Sequence, residues 1–173
     1  ALVAAPAFAG EEETVPVKVT LKGMSCPTGC GEAVTKGLSG MAGAKDVKLV
    51  DFDKGLFSLN LPAKSAVKPS EIKTAVGKFE IAKIEISLNG TVSKEKDGFV
   101  LKTAAGTAYA LALSDECCEL KTKPEENLSV KIGNWVKEGK TSLKVAGDLS
   151  ECCGGALSIA VSCAQVAEDK KVN

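Results

Sequence analysis

Three features of this 173-residue chain predict an α+β fold, a ferredoxin-like βαββαβ domain over residues 15–86 followed by a small all-β barrel over residues 87–173. Strand and helix periods alternate in that order through the first half. The parity of the apolar residues then switches, from Phe79 and Ile81 to Ile84, Ile86 and Leu88. Beyond the switch almost every apolar run has a period of two and is bounded by turn residues.

The elements follow in order. Val15, Val17, Val19 and Leu21 alternate with polar residues and Pro16, the signature of a half-buried strand. After a loop, Cys30, Val34, Leu38 and Met41 recur at helical spacing, and Gly40 and Gly43 end that helix. Val47, Leu49 and Asp51 begin a second strand, Asp53-Lys54-Gly55 a hairpin turn, and Phe57, Leu59 and Leu61 a third strand. Pro69-Ser70-Glu71 starts a helix with Ile72, Val76 and Phe79 on one face. Phe79 and Ile81 open the fourth strand. A bulge can produce the parity switch that follows. The simpler reading ends the first domain between Ala82 and Asn89 and gives the next strand to a second core. That second half reads as five strands, with turns at 94–98 and 104–106. A mixed stretch over 114–139 holds Trp135 and a short helix. The last strand carries Leu157, Ile159, Val161 and Cys163, so shared parity makes Cys163 a core residue. Tyr109 and Trp135 are read as core or barrel-mouth aromatics. A sandwich half is the alternative to the barrel.

Composition narrows the function. The chain carries 22 basic and 22 acidic residues, every basic one is Lys, and there is no His. Without Arg there is no planar fork for phosphate or guanine, which argues against a nucleic-acid partner. Without His the usual general base is gone, as is any His-containing zinc or copper site. No phosphate loop, catalytic triad or paired-carboxylate motif is present, so a binding protein is expected rather than an enzyme. The opening ALVAAPAFA has the small, apolar character of a signal-peptide tail, with Ala7-Phe8-Ala9 before Gly10 and an acidic lead-in over residues 10–14. Export to a periplasm or similar compartment is the expectation, with no membrane span in the mature chain, since no other apolar run reaches about 18 residues. Such a compartment permits disulfides among the seven cysteines.

The strongest motif is Gly23-Met24-Ser25-Cys26 followed by Cys30, between a strand and a helix. It resembles the G-M-[ST]-C-x-x-C loop of the heavy-metal-associated domain family, which includes copper chaperones and periplasmic mercury-binding proteins. The likeness covers residues 15–86. It implies that Cys26 and Cys30 are metal ligands, that Met24 packs under the loop, and that a metal-donating or metal-accepting protein is the partner. The donor chemistry agrees: two thiolates suit a soft ion, Cu(I) first, with Hg(II) or Zn(II) as alternatives. A helix start lowers thiol pKa, and Lys22 and Lys36 can add to that. One departure stands out. Three residues, Pro27-Thr28-Gly29, separate the cysteines where the family has two; Gly29 and Gly31 make a bulge there inexpensive. A Cys26–Cys30 disulfide is the alternative, and with it a thiol–disulfide oxidoreductase or an interaction module with structural bridges.

Two vicinal pairs, Cys117-Cys118 and Cys152-Cys153, lie in acid-flanked connections. They are expected to meet at one barrel end, as disulfides or as a second thiolate site. Gly90-Thr91-Val92 and Val145-Ala146-Gly147 resemble segments of bacterial exported OB-like domains, which again implies a five-strand barrel.

Overall fold

The computed structural model describes residues 13–96, 98–113, 127–152 and 155–167. Its elements run β1 (Thr14–Lys22), a π-helical turn (Pro27–Gly31), α1 (Glu32–Ser39), β2 (Lys45–Asp51), β3 (Leu56–Pro62), α2 (Pro69–Val76) and β4 (Glu80–Glu95). They continue with β5 (Gly98–Lys102), β6 (Ala108–Ala112), α3 (Leu128–Lys137), β7 (Ser142–Glu151) and β8 (Leu157–Val166). All eight strands join in one sheet, in the order β2-β3-β1-β4-β5-β6-β8-β7, and β4 also pairs with β7. That last pairing closes β4, β5, β6, β8 and β7 into a five-strand barrel. The β6–β8 pairing is parallel and the other pairings are antiparallel. The expected small barrel is therefore present.

The expected fold class is corrected in its first half. The chain does not form a ferredoxin-like βαββαβ domain followed by a barrel; it is mostly β, with 50% strand against 22% helix among the described residues, built on a continuous sheet. The cause is β4. Its 16 residues run unbroken past residue 86, pairing with β1 at their start and with β5 and β7 further on. The parity switch is a bulge and not a chain handover. Thr20 pairs with Lys83 and Leu21 with Ile81, so Ala82 is the extra residue. Downstream of it Ile84, Ile86 and Leu88 are buried. One core cluster accordingly runs from Val17, Val19, Leu38 and Ile72 through Ile86 to Leu101, Val145 and Ile159.

Two polar ties hold the helical layer to the barrel. Glu151, at the end of β7, accepts a hydrogen bond at 3.1 Å from the Ser70 backbone N–H in the first turn of α2. The Val67 N–H donates at 3.1 Å to the hydroxyl of Tyr109, which is buried on β6. Removing that acceptor leaves a buried N–H without its partner. Tyr109→Phe is expected to cost about 1–2 kcal/mol in urea unfolding, with no change in strand content. A neutral result would show that Val67 finds water instead.

A second bulge overturns the reading of Cys163. Ala146 pairs with Cys163 and Gly147 with Val161, so Ser162 is the extra residue on β8. Val161 and Ala164 are buried and Cys163 is exposed. The bulge needs glycine: a Cβ on Gly147 would stand 2.2 Å from the Ala160 carbonyl oxygen. No helix among the described residues is long and apolar enough to cross a membrane.

Candidate metal centre

Cys26 and Cys30 lie where β1 gives way to the helical layer. Gly23, with φ of +80°, turns the chain out of β1. Cys26 is extended (φ −149°, ψ 136°) and stands immediately before the π-helical turn, whose first residue is Pro27. Proline suits that place, where an N–H has no helical partner. The Cys30 N–H then reaches back 3.2 Å to the Cys26 carbonyl. The third residue between the cysteines is absorbed by this widened turn, as a π-bulge absorbs an insertion. Gly31 is buried, and a Cβ there would meet a Leu49 methyl at 3.1 Å, so the turn sits directly on β2. Met24 packs against the core beside it.

The consequence is convergence. The Cys26 and Cys30 sulfurs are 3.5 Å apart, too far for a covalent bond, and both are partly buried thiols. Ser25 Oγ is 3.8 Å from Cys30 Sγ. Hydrogen bonding from the backbone of Ser25, then from the backbone and side chain of Cys26, and then from the Ser25 hydroxyl draws the Cys30 thiol down to about 7, against a smaller opposing effect of burial. Neither lysine proposed as a helper is among these causes: Lys22 pairs with Glu80 at 3.3 Å, and Lys36 does not contribute. Ser25 is the contributor that sequence reasoning passed over. Its signal was adjacency to the first cysteine of a pair four residues apart, which one helical turn stacks on one face.

A lowered pKa means thiolate at lower pH. Cys30 should be half ionised near pH 7 and about one-tenth ionised one unit lower. Pseudo-first-order alkylation by iodoacetamide, followed residue by residue, should show Cys30 rising with a midpoint at about pH 7, against about 8.5 for an ordinary thiol. A Cys30 midpoint in the ordinary range would mean that the Ser25 and Cys26 hydrogen bonds do not hold in solution.

Among the described residues, the two other cysteines, Cys152 and Cys163, do not join this pair. Cys152 is exposed at the end of β7, on the rim of an open cleft of about 690 Å³ that also borders Ser70, Lys73, Lys83 and Glu151. Cys117, Cys118 and Cys153, the rest of the expected second site, lie outside the described residues, as does the signal-like start. Among the described residues no group of three or more Cys, Asp or Glu gathers at metal-binding distance. Comparison with protein-family models, with curated proteins and with solved structures finds no match for the chain.

Proposed function

We propose that the chain is an exported protein that binds a soft metal ion, Cu(I) first and Hg(II) or Zn(II) after it, between the thiolates of Cys26 and Cys30. The ion is cargo, held for sequestration or for transfer to or from another protein. The observation that carries this reading is the approach of two sulfurs to 3.5 Å in the first turn of a helical segment. Two anionic sulfur donors match the softness of Cu(I) and Hg(II). With metal–sulfur bonds of about 2.3 Å, the present gap subtends an angle of about 100° at a bridging ion, and a linear ion needs the sulfurs about 1 Å further apart.

The residues divide the work. Cys30, with its lowered pKa, supplies the first thiolate near neutral pH. Cys26 supplies the second; thiolate ligation competes with protons, so affinity falls as pH falls. The pair is only partly buried, which leaves the ion within reach of an incoming thiol. Anaerobic reduction, loading with Cu(I), desalting and metal analysis test the proposal. One copper per chain supports it. No retained metal, together with turnover of a disulfide substrate, would favour a thiol–disulfide oxidoreductase instead.

A further inference from the structure

We propose that Gly29 is a positioning residue that selects which ions the cysteine pair accepts, by leaving the Cys26 sulfur free to swing. The inference rests on the metal-binding reading above and deepens it. The two sulfurs are not equally fixed. Cys30 is held in the helical turn by its N–H bond to the Cys26 carbonyl at 3.2 Å, and its Sγ lies 3.8 Å from the Ser25 hydroxyl. Cys26 Sγ lies against Gly29, where a Cβ would stand 3.2 Å away, closer than side chains ordinarily approach. A methyl at position 29 would therefore have to push the sulfur by a few tenths of an ångström or hold it in place.

The ions make different demands on that freedom. An ion that takes further ligands from solvent, such as Zn(II), accepts sulfurs at a bent angle, close to the 3.5 Å gap present here. An ion bound by two thiolates in a line needs the sulfurs about 4.6 Å apart for bonds of about 2.3 Å, an opening of about 1 Å. With Cys30 Sγ anchored, Cys26 makes most of that movement, by rotating about its Cα–Cβ bond across the bare face of Gly29. The glycine thus favours linear, two-coordinate ions, Cu(I) and Hg(II), over Zn(II).

The test is Gly29→Ala in the full chain, reduced, titrated with Cu(I) and separately with Zn(II) against competing chelators. Gly29 is exposed and its backbone lies outside the left-handed region, so alanine is compatible with the fold. The expected result is Cu(I) affinity at least tenfold weaker and Zn(II) affinity within threefold of the parent. X-ray absorption should show the bound copper moving from a linear two-sulfur site to a bent or higher-coordinate one. Equal weakening of both ions, or unchanged affinity for both with unchanged copper geometry, overturns the proposal. A parent chain that binds neither ion fails the metal-binding reading itself, a different and recognisable result.

Discussion

Gly37→Ala should destabilise the protein by about 2 kcal/mol, although helix propensity alone favours alanine over glycine by about 1 kcal/mol. Gly37 sits inside α1, where glycine is otherwise a poor choice. A Cβ there would stand 2.0 Å from the Ala75 carbonyl oxygen of α2. Backbone cannot yield as the end of a flexible side chain can, so the two helices must separate. Separation loosens the burial of Val34 and Leu38 on α1 and of Ile72 and Val76 on α2. A loss of that size lowers Tm by roughly 4–8 °C in a chain of this length. Gly37→Leu should be worse still. Calorimetry of the alanine variant decides between the two effects by sign: a raised Tm would mean that the close helix contact is not present in solution.

The second large effect belongs to the cysteine pair. Cys30→Ser should weaken Cu(I) binding on the order of a thousandfold, about 4 kcal/mol, because one of two soft donors becomes a hard hydroxyl. Cys26→Ser should do nearly the same. Cys152→Ser and Cys163→Ser should leave the affinity unchanged, since neither joins the pair and both are exposed. Competition titration of the four reduced variants makes the comparison. Serine at 30 costing no more than serine at 163 would remove the pair from the function.

How much of this was legible in the sequence depends on whether a feature is local. The alternation at Val15, Val17, Val19 and Leu21 marked β1, and that at Phe57, Leu59 and Leu61 marked β3, because a half-buried strand writes its two faces into its own residues. The barrel strands were legible for the same reason, helped by the charged turn at 94–98 and the glycine-bearing turn at 104–106. The convergence of Cys26 and Cys30 was legible because four positions close one helical turn, even a widened one. What was lost was pairing. A parity switch looks alike whether a chain passes to a new core or one residue bulges from a single strand, and only the partner's register separates these. That ambiguity hid the continuity of β4 through Ala82, and with it the single sheet. The same ambiguity placed Cys163 in the core, although the glycine that permits the bulge, Gly147, lies 16 residues away on another strand. The Tyr109–Val67 and Glu151–Ser70 bonds span 42 and 81 residues and leave no trace in local pattern. The source of the Cys30 pKa shift was missed because lysines are visible in a sequence and backbone hydrogen bonds are not.

The most direct measurement is alkylation mapping of the reduced chain with and without one equivalent of Cu(I), read by peptide mass spectrometry. If Cys26 and Cys30 hold the ion together, both should be protected at once by that single equivalent, while Cys152 and Cys163 stay open to the reagent. Labelling of Cys26 and Cys30 at the metal-free rate, with protection at other cysteines or none, would contradict the assignment of the metal to this pair.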